Sequence, residues 1–354
     1  MKKAMSTSNQ EYIENLRKYD LNTRLQEVLE IQLDPKEGSE HWLDLEKKLN
    51  LDIKNEIKSI DDLPILEEAL LKFDKGKPEY QKEFSEYHLR SKTIEHFVPK
   101  KYLKDLDVCL SSATRGLTKI IPWHEDSSRE IVNFYEFYFD YNKFPRGEKW
   151  LIIGPYGLFE KHLCNVAKKF DGIPIPIGIE SWGSKNIKDK NKIIERFEPT
   201  LGRIMDIFKV ESVGVLATAT EMAEMLPNFV DIKDIKALYL TGTGTNFQRI
   251  ERLFEIYNLK SFGVGYGHSM WGPAVHIDDG TRNLNYFINK SQALQKVVDP
   301  QDITKELKYG EEGRVKSYIL RNEFFWINLD RDFGIKIPGN YPFNWDGVRN
   351  VRSD

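Results

Sequence analysis

The stretch WLIIGPYGLFEKHLCNVAKKFDGIPIPI, residues 150–177, decides the fold class. A four-residue apolar run at 150–153 leads into a Gly-Pro-Tyr-Gly turn. A segment with helical spacing follows at 158–170, then a turn at Asp171 and Gly172, then a second apolar run at 173–177. Apolar runs this short, rich in β-branched residues and bounded by turn signals, read as buried strands, and the segment between them is long enough for a crossover helix. The unit recurs downstream, with strand candidates at 213–217, 237–241 and 261–264 and a helical stretch at 247–257. Such alternation predicts an α/β sheet built from crossover units.

Working outward, residues from about 11 to 98 are charged and helical in pattern, with Tyr12, Leu16 and Tyr19, then Leu63, Leu66, Leu70 and Leu71, at helical spacing. They predict a helical layer packed on the domain that follows. Beyond Gly313 the helical signal fades, and 314–320, 325–329 and 333–337 read as antiparallel strands separated by turn residues. The predicted organisation is a helical N-terminal layer (1–98), an α/β core (99–312) and an antiparallel β portion (313–354).

Composition narrows the function classes. The 52 basic and 55 acidic residues leave a net charge of −3, so no overall field draws the chain to nucleic acid or anionic lipid, and a metabolite-sized partner is expected. Two cysteines build no disulfide framework, and no apolar run reaches the roughly 18 residues of a membrane span. The first twelve residues carry lysines but no apolar stretch behind them, so a secretory signal is not expected and a cytoplasmic location is. His41, His88, His96, His124, His162 and His276 show no metal-ligand spacing. Phe134, Tyr135, Phe137, Tyr138 and Phe139 have no basic stripe beside them and are expected in the core.

The chemistry-bearing segment is Ser111-Ser112-Ala113-Thr114-Arg115-Gly116-Leu117-Thr118-Lys119, set between the apolar runs 108–110 and 120–122. It reads as a hydroxyl-rich turn between two strands. Hydroxyls, backbone N–H groups in a concave turn, an arginine and a lysine supply the donors and charge a polyphosphate needs.

This loop resembles the Ser-Ser-Gly-Thr-Thr-Gly-x-Pro-Lys loop of the AMP-forming carboxylate ligases, the adenylate-forming superfamily, with Ala113, Arg115 and Thr118 departing from the pattern. Gly154-Pro155-Tyr156-Gly157-Leu158-Phe159 is similar to the Tyr-Gly-Leu-Phe segment of the phenylacetate-CoA ligase branch. Thr241-Gly242-Thr243-Gly244 resembles the turn beside adenine, and Gly265-Tyr266-Gly267-His268-Ser269-Met270 resembles the Tyr-Gly-x-Thr-Glu motif. Asn328 to Gly334 is similar to the Tyr-Arg-Thr-Gly-Asp-Leu-Gly strand, and 347–354 to the Gly-Arg-Ser-Asp-Asp hinge, with Arg352 as its arginine.

The resemblance implies the large domain of such a ligase, with a nucleotide- and acyl-binding core and ATP as co-substrate. By it Ser111, Ser112, Thr114, Arg115, Gly116, Thr118 and Lys119 meet phosphates, while Gly242, Thr243, Gly244, Tyr266, Gly267, Ser269, Asp332 and Arg352 hold the nucleoside and α-phosphate. Lys119, Arg115 and His268 are the catalytic candidates, and Tyr156, Gly157, Phe159 and Trp271 border the acyl pocket. The partners implied are a carboxylic acid and a thiol or amine acceptor. The family's small C-terminal domain would begin where this chain stops, so a separate C-terminal domain or a homodimer is the expected complement. Mg2+ is implied by the family, but Met270 stands where its magnesium glutamate belongs, and a thioether is a poor ligand for a hard cation. Two readings follow: an enzyme that adenylates a carboxylate and transfers the acyl group, or a nucleotide- or acyl-binding protein that keeps the fold without the catalysis.

Overall fold

The computed structural model describes residues 6–73, 89–90, 92–110, 119–179, 190–242 and 244–353. It divides into two compact units, one taking Met1–Asn9 and Ile131–Gly267, the other Gln10–Glu130 and His268–Asp354.

The chain opens with helices α1 (Thr7–Lys18), α2 (Leu21–Gln32), α3 (Glu40–Leu49), α4 (Ile53–Glu56) and α5 (Leu63–Phe73). Their ends are set by short polar side chains. The Asp20 carboxylate accepts from the Asn22 and Thr23 N–H groups at the start of α2, the Ser39 hydroxyl caps α3, and Asn50 closes α3 at φ 49°. Leu25, Val28, Leu29 and Gln32 give α2 one buried face. A strand hairpin follows, β1 (Leu106–Leu110) against β2 (Ile120–His124), antiparallel with Leu110 opposite Ile120. After it comes helix α6 (Glu125–Tyr141).

The next segment is the α/β unit that residues 150–177 predict. Strands β3 (Lys149–Pro155) and β4 (Ile173–Ile179) flank helix α7 (Leu158–Lys169). Helix α8 (Lys190–Val210) leads to β5 (Val215–Ala219), α9 (Thr220–Met225) to β6 (Ala237–Thr241), and α10 (Phe247–Tyr257) to β7 (Ser261–His268). The five strands are parallel in the order β4-β3-β5-β6-β7. Trp150, Leu151, Ile152, Ile153, Val215, Leu216 and Ala217 are fully buried, because a parallel sheet is covered on both faces. Phe134, Tyr135, Phe137, Tyr138 and Phe139 on α6 are buried as expected, and the Tyr138 hydroxyl accepts from Val264 N–H at 2.8 Å on β7. Pro174 and Pro176 lie in β4, the edge strand, where a missing N–H breaks no ladder.

The remaining strands belong to the other unit: β8 (Gly272–His276), β9 (Asn285–Ile288), β10 (Ala293–Val298), β11 (Glu312–Arg321), β12 (Phe324–Ile337) and β13 (Gly347–Ser353). They pair antiparallel in the order β10-β11-β12-β13-β9-β8. The expectation of two strands at 325–329 and 333–337 with a turn between them is corrected here. They form the single 14-residue strand β12, which stays extended through Asp330-Arg331-Asp332. The helical layer packs on this sheet: Trp42 Nε1 donates to the Phe325 carbonyl at 2.9 Å, Gln32 Nε2 to the Asn322 carbonyl at 2.8 Å, and Arg24 Nε to the Leu320 carbonyl at 3.0 Å. Beneath it the fully buried Glu67 carboxylate of α5 meets Lys316 Nζ at 2.8 Å and accepts from the Tyr318 hydroxyl. Both cysteines are free thiols, and among the described residues no helix is long and apolar enough to cross a membrane.

Candidate functional site

In the parallel unit the strand order is that of a doubly wound sheet with its first strand inside: β3 has β4 on one side and β5 on the other. Crossover connections leave in opposite directions there, and the carboxyl ends of β3 and β5 at such a point are the usual ligand position in sheets of this order. The segments singled out in sequence fall at these carboxyl ends. At the end of β3, Gly157 adopts φ 107°, which a side chain would strain, and leads into α7. Tyr156 is 65% exposed, with its ring over Gly178 so closely that a Cβ there would sit 1.9 Å from it. Phe159 lies similarly against Gly154.

At the ends of β5 and β6, Thr220 and Thr245 share a hydroxyl hydrogen bond of 2.5 Å, and Thr245 Oγ1 donates to the Gly242 carbonyl at 3.4 Å. Gly242 and Gly244 both take positive φ, at 101° and 98°; Thr243 lies outside the described residues. Tyr266, near the end of β7, is buried at 7%, and Gly267 beyond it is exposed.

In the antiparallel unit, β1 and β2 bring Leu110 and Ile120 side by side, so the predicted phosphate segment joins adjacent strand ends. Ser111, Ser112, Thr114, Arg115, Gly116 and Thr118 lie outside the described residues. Lys119 is buried at 6% just before β2.

His268, Ser269, Met270 and Trp271 form a tightly held loop. The His268 ring stacks on Trp271 at 5.6 Å between centroids and 16° between planes. Its Nε2 is 3.3 Å from Asp330 Oδ1, and its Nδ1 accepts from Met270 N–H at 3.2 Å. An N–H pointing into Nδ1 places the neutral ring's proton on Nε2, toward Asp330. Asp330 is itself buried and collects three more donors: Asn328 Nδ2 at 2.5 Å, Trp271 Nε1 at 3.4 Å and the Ser317 hydroxyl at 3.4 Å. The Ser269 carbonyl is fixed by Trp123 Nε1 at 3.0 Å. Met270 is fully buried and offers no oxygen donor. Among the described residues no group of three His, Cys, Asp or Glu side chains converges as a metal site, and the Met270 thioether, at the position of the family's magnesium glutamate, is a poor ligand for a hard cation.

Two residues beyond Asp330 on β12, Asp332 is half-buried and its Oδ1 accepts from the Ser353 hydroxyl at 2.8 Å. Asp332 pairs with Ser353 and Phe333 with Arg352 across β13, so strand alternation sets the Asp332 and Arg352 side chains on opposite faces of the sheet; the Arg352 guanidinium lies over the Phe333 ring, and its Nε is 3.1 Å from Glu312. Trp271, read as pocket wall, is buried with its indole N–H toward Asp330. Sequence reasoning gave no role to Asp330 or Arg249. Asp330 stood in the stretch expected to turn, and Arg249, which bridges Glu221, Glu224 and the Gly244 carbonyl, looked like any charge on an amphipathic helix.

No protein-family model matches the chain, and no curated protein matches it by sequence. Solved structures do. The fold is that of the adenylate-forming ligases, and similar structures include those of 2-hydroxyisobutyryl-CoA ligase. Its open conformation, in complex with 2-HIB-AMP and CoA, matches with a TM-score of 0.65 at 12% identity over 95% of this chain and 75% of that one. Its thioesterification state, with the same two ligands, matches at 0.65 and 13% identity over 99% and 69%. Its postadenylation state with 2-HIB-AMP matches at 0.63 and 13% over 95% and 68%.

Proposed function

We propose that the chain binds ATP and a carboxylic acid, joins them as an acyl-adenylate with release of pyrophosphate, and passes the acyl group to a thiol or amine, releasing AMP. The observation that carries the reading is the fold: nearly the whole chain follows a ligase whose structures hold an acyl-adenylate together with CoA. The phenylacetate-CoA ligase branch is our finer assignment, supported by Tyr156, Gly157 and Phe159 at the carboxyl end of β3.

In the antiparallel unit, Asp332 would accept the ribose hydroxyls, and Arg352, on the neighbouring strand, is the arginine that the resemblance assigns to the nucleotide. The loop of Ser111, Ser112, Thr114, Arg115, Gly116, Thr118 and Lys119 would hold phosphates through charge-assisted donors. Ser269 and His268 would face the α-phosphate, with the imidazole kept in one tautomer by Met270 N–H and Asp330. In the parallel unit, Tyr266 would stack on the base beside Gly242, Thr243, Gly244 and Gly267, and Tyr156, Gly157 and Phe159 would border the acyl group. Trp271 would back the loop that carries His268. ATP brings the activated phosphorus.

The test is carboxylate-dependent exchange of labelled pyrophosphate into ATP, run across a panel of aliphatic and aromatic acids beside calorimetry with ATP. Exchange above the acid-free blank supports the enzyme. A second reading, a binding protein that keeps the fold without catalysis, is favoured by Met270 and by both imidazole nitrogens of His268 being engaged. It predicts binding of ATP or of an acid with no exchange for any acid, and absence of binding for ATP and for every acid sinks both readings.

A further inference from the structure

We infer that Arg321 is a positioning residue that acts through Trp123 to fix Ser269 for the α-phosphate. The inference rests on the nucleotide reading above. Ser269 opens the turn between β7 and β8 and is half-buried, and its carbonyl accepts the Trp123 indole N–H at 3.0 Å. Trp123, on β2, is buried, and the Arg321 guanidinium at the end of β11 lies 3.8 Å from the centre of its ring. The other anchor of the turn is His268, whose Nδ1 accepts from Met270 N–H at 3.2 Å.

Packing alone does not account for Arg321. It is fully buried, yet Nε, Nη1 and Nη2 all lack a hydrogen-bond acceptor. Glu323 Oε1 is 3.2 Å from Nη1 but out of line for a hydrogen bond, and that carboxylate accepts instead from His124 N–H at 3.2 Å and from the Ser127 hydroxyl at 2.8 Å. Burial pushes the guanidinium down to about 10, so it stays charged at neutral pH. A buried cation with unmet donors makes a fold less stable than an apolar side chain of the same volume would. What the cation supplies is polarisation. Charge over an indole face draws the π electrons toward it and makes the N–H at the ring edge a stronger donor, as neighbouring hydrogen bonds strengthen one another in a chain. The planar guanidinium also keeps the ring from tilting. A fixed carbonyl fixes the Ser269 main chain and so the root of its hydroxyl, and a hydrogen bond to a phosphate oxygen weakens steeply when its direction is lost.

The experiment compares AMP with adenosine by calorimetry on the full chain and on Trp123→Phe, Arg321→Lys and the double variant Arg321→Met with Glu323→Gln, with a melting curve for each. Trp123→Phe keeps a ring under the guanidinium and removes the N–H. It should weaken AMP by about tenfold, as for one lost hydrogen bond to a charged group, and leave adenosine unchanged. The double variant removes the charge and its counter-charge together, while the glutamine amide oxygen still accepts from His124 N–H and Ser127. It should melt at the same or a higher temperature and still lower the AMP:adenosine ratio, a combination that a purely structural contact does not give. Arg321→Lys keeps the charge without the flat face and should fall between. An AMP:adenosine ratio unchanged in Trp123→Phe overturns the inference; if that variant does not fold, an unchanged ratio in the double variant overturns it. So do equal losses of AMP and adenosine with a lower melting temperature, which would mark a core contact and nothing more. Failure of the unaltered chain to bind AMP sinks the nucleotide reading along with it, whereas AMP binding that ignores these variants removes only the role of Arg321 and Trp123.

Discussion

Asp330 and Asp332 lie two residues apart on one strand in different surroundings. Asp330 is buried under donors from Asn328, Trp271 and Ser317 with His268 beside it, so it organises the loop that carries His268. Asp332 is half-buried and has the Ser353 hydroxyl as its hydrogen-bond donor at 2.8 Å. Replacing each by alanine should therefore separate stability from binding. Asp332→Ala should weaken ATP by roughly 1.5–3 kcal/mol, the worth of a charged acceptor, with little change in melting temperature. Asp330→Ala should lower stability by about 1–3 kcal/mol by leaving buried donors unmet. Calorimetry and denaturant titration of both variants check this, and equal ATP affinity in Asp332→Ala would remove its ribose role. In sequence the pair read as turn residues, because aspartates flanking an arginine favour a bend. Burial of Asp330 among donors outweighs that preference, and no local pattern announces those donors.

At the scale of elements, α5 is fastened to β11 by an ion pair that water does not reach. Burial pushes the Lys316 ammonium below its usual range, while the Glu67 carboxylate beside it works to keep it charged. A buried pair adds little over a well-packed apolar substitute, but removing one partner leaves a bare charge. Glu67→Ala should thus cost about 3–5 kcal/mol in urea unfolding, and Glu67→Leu combined with Lys316→Met should recover most of it. A second element-level expectation concerns β8 and β9. His276 is buried, accepts from Asn285 N–H at 3.1 Å, and is held below its ordinary pKa by burial. The folded state keeps it neutral, so the unfolded chain binds the extra proton as pH falls. Its contribution to stability is complete above the unfolded value of about 6.5 and is lost progressively below it, down to the lower folded value. Melting temperatures at pH 8 and pH 5.5 should converge more in His276→Gln than in the unaltered chain; an identical drop in both would show that other groups carry the acid sensitivity.

At the scale of the whole molecule, the parallel sheet was legible because strands covered on both faces become unbroken apolar runs, as at 150–153 and 237–241. The hairpin of β1 and β2 was legible from two apolar runs around a hydroxyl-rich turn. Strands β8, β9 and β10 were not, because their buried positions include Asn285 and Gln295 and the turn residues Asn289, Ser291 and Gln292 beside them are buried too. Polar residues that find partners inside a sheet break the alternation that sequence reading depends on. The candidate site was legible only as separate short motifs. Strand pairing brings Asp332 beside Ser353, and packing brings His268 against Asp330, and neither relation has a sequence period.

The two prolines of β4 have a consequence for the protein in concentrated solution. Ile173 N–H points inward to the Glu148 carbonyl, so alternation turns the backbone nitrogens of residues 174 and 176 outward, where proline removes both donors. The outer rim of the sheet then offers carbonyls but, at two consecutive outward positions, nothing to donate, which denies a stray strand from another molecule its ladder. Restoring the donors with Pro174→Val and Pro176→Val should leave unfolding free energy within about 1 kcal/mol, the span of strand preference. It should also make the chain self-associate, seen as rising light scattering with concentration. Scattering no different from that of the unaltered protein would mean that something other than these prolines keeps the rim from recruiting neighbours.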